Sequence, residues 1–174
     1  MSPERMDEQV ETLREALSRN EVLMNVLVGA ADLRLPGWCL TAGCVVQTVW
    51  NVVTGRPAAV EIRNEARVHL WYEEKFGVPC LPYESTEAAI DSFAATTCCV
   101  GVRTESDGRW RVYAPHGLSD VFDLVVRPNP VLAPKHVYET KTARWREQWP
   151  DLTVLPWPEQ ETGEVLRRGP RPSP

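Results

Sequence analysis

Residues 60–77, VEIRNEARVHLWYEEKFG, gather a carboxylate at Glu61, an amide at Asn64, guanidinium groups at Arg63 and Arg67, and an imidazole at His69. A carboxylate on a strand is the type of group that grips a hard cation such as Mg2+. Arginine, asparagine and histidine suit phosphates and bases. Apolar and acidic residues alternate over 60–62, which predicts a strand. Asn64 suits a helix N-cap, Ala66, Leu70 and Trp71 form the helix face, and Gly77 ends it. The bland roles compete at each position. Glu61 suits an exposed acid paired with Arg63 or Arg67, Asn64 suits a plain cap, and Arg67 and His69, two apart on a helix, point away from each other, so at most one of the two faces a common site.

A second grouping is GWCLTAGCVVQTVWNVVTG, residues 37–55. It reads as a short apolar strand near Trp38 to Thr41, a small-residue turn at Ala42 and Gly43, and a buried helix ending at Gly55. Gly43 lets the backbone approach a phosphate at a helix N-terminus, although an Ala-Gly turn by itself is common. Other chemistry-bearing residues read as structural. Asp120 and Asp123 are three apart and suit a helix start. His116 beside Asp120 has no serine or cysteine placed to act as a nucleophile. Trp145 and Trp149 form a helical stripe that belongs in a core. The three histidines, at 69, 116 and 136, are scattered, and no Cys-x-x-Cys occurs, so zinc ligation has no spacing to support it. Five cysteines, Cys39, Cys44, Cys80, Cys98 and Cys99, sit in apolar surroundings and are expected to be buried free thiols.

These groups need a scaffold. A chain of 174 residues with 43% hydrophobic and 25% charged residues is long enough for one domain with a full core. Two amphipathic helices open it, with Met6, Val10, Leu13 and Leu17 on one face and Leu23, Val26, Leu27 and Ala30 on the next. STEAAIDSFA reads as a short helix, and CCVGVRTESDGRWRVYA as a hairpin turning at Asp107-Gly108. APHGLSDVFDLVVRPNP reads as a turn with a short helix or strand, and PKHVYETKTARWREQW as a helix between Pro134 and Pro150. The order predicts an α+β fold, a small mixed β-sheet with flanking helices spanning 1–157, followed by a disordered Pro- and Arg-rich tail over 158–174. The net charge of −5 excludes a general binder of duplex nucleic acid. No apolar run approaches membrane-spanning length, and the polar, acidic start is unlike a signal peptide, so a cytoplasmic protein is expected.

Four stretches, LPGWCLTAGCVVQTVWN, VEIRNEARVHLWYEEKFG, EAAIDSFAATTCCVGVR and YAPHGLSDVFDLVVRPNP, together resemble the bacterial nucleotidyltransferase-like proteins of the polymerase-beta-type superfamily, from about Leu35 to Trp157. The resemblance implies Mg2+-dependent transfer of a nucleotidyl group from a nucleoside triphosphate to an acceptor. It implies nucleotide contacts at Gly43, Gln47, Asn64, Arg67 and His69, with Glu61 as catalytic acid and metal ligand. In that superfamily two carboxylates one residue apart on a strand bind the metals, because alternate strand residues share a face. No apolar-flanked Asp-x-Asp occurs in this chain, and the interval where that element should stand is only TGRPAA. Val46 and Gln47 stand where the family usually offers an Arg-Asn pair, and Glu65 replaces a glutamine. The resemblance therefore implies a fold truncated by one strand-helix element. Three roles follow: a transferase, a catalytically inert member that binds a nucleotide or a protein, or a structural paralogue. The lost strand also predicts self-association through an exposed sheet edge.

Overall fold

A computed structural model of the chain describes residues 3–34, 37–60, 74, 77, 83–105 and 107–158. The two opening helices form as expected, α1 at Pro3–Ser18 and α2 at Glu21–Asp32. Asn20 caps α2: its Oδ1 accepts the Leu23 N–H at 3.1 Å, and its Nδ2 donates to Thr48 Oγ1 at 3.0 Å. The cap thus ties the start of α2 to the helix beneath it. Leu13 and Leu17 of α1 and Leu23 and Leu27 of α2 are buried. Val26, expected on the inward face of α2, is instead 49% exposed. It lies about 100° around the helix from Leu27, and the buried stripe is too narrow to include it.

Strand β1, Leu40–Thr41, turns through Ala42 into α3, Gly43–Val53. Every residue from Cys44 to Asn51 is buried, so α3 is the central helix. It ends at Thr54 and Gly55, the latter at φ 72°, a conformation that glycine adopts without a Cβ clash. The short helix α4, Thr86–Asp91, is capped by Ser85, whose Oγ accepts the Ala88 N–H at 3.0 Å. A 3-10 turn at Thr96–Cys98 leads into the hairpin of β2, Gly101–Thr104, and β3, Trp110–Tyr113. Val102 faces Val112 and Thr104 faces Trp110 across it, as the alternation predicts. Asp107 closes the turn, its Oδ1 accepting the Arg109 N–H at 3.0 Å, and Gly108 follows at φ 80°.

Both of the alternatives left open for residues 114–130 are present: α5 at Ser119–Phe122 and β4 at Val125–Val126. Helix α6, Lys135–Gln148, starts after Pro134. Strand β5, Thr153–Val154, was not expected, since a two-residue strand carries no periodicity and only its neighbour defines it. The strands form two small sheets, an antiparallel one in the order β1-β2-β3 and a parallel β4-β5 pair. Tyr138 of α6 binds the second pair, its hydroxyl lying 3.0 Å from the Val126 carbonyl and 2.7 Å from that of Leu155. Burial pushes its phenol pKa up to about 12. The outermost strand β3 carries Arg111, exposed on the sheet rim, a charge that disfavours edge-to-edge pairing.

The short link after α3 is a built turn. The Arg56 N–H donates to the Asn51 carbonyl at 2.7 Å and that of Val60 to Pro57 at 3.1 Å, so Val60 lies in a turn, not in the expected strand. Buried Asn51 donates from Nδ2 to the carbonyls of Val60 at 2.8 Å and Ala58 at 3.3 Å, and its Oδ1 accepts the Trp149 indole N–H at 3.0 Å. Arg56 reaches the Gln148 carbonyl at 2.5 Å, with its guanidinium 5.6 Å from the Trp149 ring centroid. Trp50 packs edge-on against Trp145 and Trp149 at 5.5 and 5.2 Å, which makes the tryptophan stripe core. Truncating Asn51 strands the Trp149 N–H and frees the link. Asn51→Ala should cost about 2–3 kcal/mol and lower the melting temperature by roughly 5–10 °C, read by calorimetry. An unchanged midpoint would show that the link is held by other contacts.

Candidate functional site

The turn from β1 into α3 holds a non-glycine residue at positive φ. Ala42 is held at φ 56° and ψ −129°, a region where a Cβ is unfavourable. Two neighbours fix it there. Thr41 donates from Oγ1 to the Val100 carbonyl at 2.5 Å, pinning β1 to the chain entering β2. Cys44 donates its S–H to the Thr41 carbonyl at 3.0 Å. The Ala42 carbonyl accepts the N–H groups of Val45 and Val46, both at 3.1 Å, so the helix begins immediately. Among the described residues no side chain caps this N-terminus. The first N–H groups of a helix have no partner within it and carry the positive end of its dipole, so such a start suits an anion.

Gly43 is the first residue of α3, beside this turn. Gln47 lies one turn further along and is 3% exposed, drawn into the core with the rest of the helix. Glu61, Asn64, Arg67 and His69 lie outside the described residues. Among the described residues no group of three or more His, Cys, Asp or Glu side chains could hold a metal ion.

The residues given structural readings behave as such. Asp120 accepts from Arg127 at 3.0 and 3.4 Å, a forked pair that holds the guanidinium pKa above its ordinary value. His116 is exposed in its turn. Cys44, Cys98 and Cys99 are buried free thiols, and burial pushes their pKa values up to about 11, 12 and 12. Cys39 is half-buried. Its thiol is also raised by burial, against the opposing charge of Arg103.

Sequence reasoning missed how α4 lies on the sheet. Tyr113 donates its hydroxyl to the Asp91 carboxylate, 2.9 Å from each oxygen. Burial first, then this bond to an anion, raises the phenol pKa. Asn129 holds the end of α4 from beneath, its Nδ2 donating to the carbonyls of Asp91 at 2.7 Å and Phe93 at 2.8 Å. Gly101 makes room for the contact: a Cβ there would stand 2.6 Å from Ile90 Cδ1 and 3.5 Å from Cys39 Sγ. A glycine inside a β-rich run is the one sequence signal of such a close approach.

Two outcomes follow from this geometry. Glycine adopts the Ala42 conformation freely, so Ala42→Gly should raise stability by about 1 kcal/mol and Ala42→Val lower it by about 2 kcal/mol in denaturant titration. The reverse order would show that the turn is unstrained. The three buried thiols should stay unlabelled in the native chain at neutral pH and react with a thiol reagent only in denaturant. Their native pKa values lie above the ordinary value of 9.0. The unfolded chain alone ionises as pH rises past that value, so stability is fully present below pH 9.0 and declines toward about 11 and 12. Rapid native labelling of all five cysteines would contradict this.

The family model described as nucleotidyltransferase matches residues 29–61 and 56–154, two segments that meet in the link after α3. A solution NMR structure described as revealing a CCA-adding enzyme head domain superposes with a TM-score of 0.63 at 22% identity, covering 87% of this chain and 96% of that one. That likeness speaks for the fold. No curated protein matches the chain. Among the described residues no helix is long and apolar enough to cross a membrane. With more than half of its residues matched, the chain belongs to the nucleotidyltransferase family.

Proposed function

We propose that this chain binds a nucleoside triphosphate at the turn between β1 and α3, and that it is a family member lacking the element that bears the paired carboxylates. The observation that carries the reading is the uncapped start of α3 behind the strained Ala42 turn. Phosphate oxygens accept from helix N-terminal N–H groups, and Gly43 adds no side chain to obstruct them. Asn64, Arg67 and His69 are the proposed further contacts to phosphate, ribose or base. Gln47 is withdrawn from solvent on the first turns of α3.

Two features support the missing element. The family match divides at residues 56–61, the interval where the paired acids are expected. The link there is closed by the Asn51 side chain, so the chain passes from α3 to residue 60 without a break in its hydrogen bonding. Acids convergent on one metal are what distinguishes transfer from binding in this superfamily, and the described residues offer no such group.

Family membership favours a second reading, transfer of a nucleotidyl group to an acceptor with Mg2+ and with Glu61 as the acid. Thermal-shift titration with each nucleoside triphosphate, with and without Mg2+, separates the two. A bound ligand raises stability by about 2.7 kcal/mol at a hundredfold excess over its Kd. Metal-independent stabilisation that persists in Glu61→Ala is the expected result. Stabilisation that requires Mg2+ and vanishes in Glu61→Ala would instead establish the transferase reading, and no shift with any triphosphate would exclude both.

A further inference from the structure

The alternation of the β2–β3 hairpin sorts its side chains by charge. Val102 is buried, Trp110 and Val112 pack on the core, and Thr104 donates to the Leu27 carbonyl at 3.2 Å. Residues 103, 105, 109 and 111 therefore share the outer face, because alternate strand residues point the same way. That face sets the guanidinium groups of Arg103, Arg109 and Arg111 against the single carboxylate of Glu105. Arg103 and Arg111 are direct partners in the register. At such positions Cβ atoms lie about 5 Å apart and like charges repel. Glu105 is spread over all of them: it accepts from Arg111 Nε at 2.9 Å and Arg109 Nη2 at 3.4 Å, and Arg103 Nη2 lies 4.0 Å away. Arg109 has a second acid in Asp107. Among the described residues Arg103 has no second acid and donates no hydrogen bond, although its side chain is only 33% exposed. A part-buried guanidinium with so little compensation is unfavourable, and an oxyanion beside it would relieve both the missing bonds and the repulsion from Arg111.

We infer that Arg103 and Arg111 bind a phosphate group between them on the outer face of the hairpin. The guanidinium fork matches phosphate oxygens and takes them in pairs. Phosphate is favoured over a carboxylate because its third oxygen and second charge serve two guanidinium groups at once. Glu105 holds the pair together in the empty state and yields Arg111 to the phosphate. The acids of α4 do not fill the place: Asp91 is bonded to Tyr113, and Glu87, exposed, makes no ion pair with Arg103 among the described residues. The phosphate belongs either to the tail of a nucleoside triphosphate or to a second molecule, and the same chemistry receives both. The subsite is built from the hairpin alone, so it stands whether or not the α3 turn binds a triphosphate.

Titration calorimetry of the full chain with inorganic pyrophosphate at low salt tests the subsite, with thermal denaturation in its absence as the check on folding. The unaltered chain should bind pyrophosphate. Arg103→Met keeps the packed stem and removes the charge, so it should weaken binding at least about tenfold, and Arg111→Gln, at an exposed position, should do the same. Arg109→Gln, whose guanidinium Asp107 already holds, should change binding by less than about twofold. Glu105→Gln removes the competing carboxylate and should strengthen binding about threefold or more, which a purely structural cluster would not do. Absence of pyrophosphate binding overturns the inference. So do equal losses in Arg103→Met and Arg109→Gln, the mark of diffuse attraction. Repeating the titration with a nucleoside triphosphate identifies the source. A loss in Arg103→Met that matches the loss for pyrophosphate assigns the subsite to the triphosphate tail. A triphosphate that binds Arg103→Met undiminished and leaves pyrophosphate in place on the unaltered chain assigns it to a phosphate of the second molecule.

Discussion

The buried amide of Asn51 is the interaction on which the rest of the structure depends. One side chain at the end of the central helix meets three partners from two places in the chain: the carbonyls of Ala58 and Val60 in the following link, and the indole N–H of Trp149 beyond the last long helix. An amide has two donor hydrogens and an acceptor, so it can satisfy both carbonyls and the indole together, where a hydroxyl has one donor and a carboxylate none. Trp149 then packs on Trp50, one residue before Asn51, and Arg56 covers it from outside. The short link and the C-terminal half of the fold are thereby anchored to α3.

From that anchor the candidate site follows. With α3 held at its C-terminal end by Asn51 and along its length by α1 and α5, its N-terminus is fixed against β1. The chain must reverse from strand to helix within a single residue, and Ala42 takes the unfavourable conformation that this reversal demands. Strain of this kind persists where the surroundings over-determine it. Here those surroundings are the Thr41 bond to the Val100 carbonyl and the sealed thiol of Cys44 beneath it. A rigid, uncapped helix start is the kind of feature that binds an anion with little reorganisation.

Much of the fold was legible in the sequence. Elements with strong local grammar appeared where expected: the amphipathic pair ahead of residue 33, the Asp107-Gly108 hairpin, the helix closed by Gly55 and the one opened after Pro134. The departures fall where local grammar is weak. Strand β5 has two residues and exists because β4 lies beside it. Val26 shares the helical spacing of Leu23 and Leu27, but spacing alone does not say how wide a face the neighbours will cover. The turn at Ala42 and Gly43 was legible because a small-residue pair between a strand and a helix is itself a signal. The burial of Gln47 was not visible, since a polar residue inside an apolar run reads equally as packed or as presented to a ligand.

By itself, then, the amino-acid order determined the helices and turns, the free thiols of the core, the family resemblance and the absence of an Asp-x-Asp pair, because each depends on residues near one another in the chain. Only the tertiary structure decided that the short link is a hydrogen-bonded turn, that Asp91 and Tyr113 meet across β2, and that one side of α2 is left uncovered. The Asn51–Trp149 and Asp91–Tyr113 bonds join residues far apart in the chain. Their pairing is set by the packing of whole elements, and no local pattern encodes it.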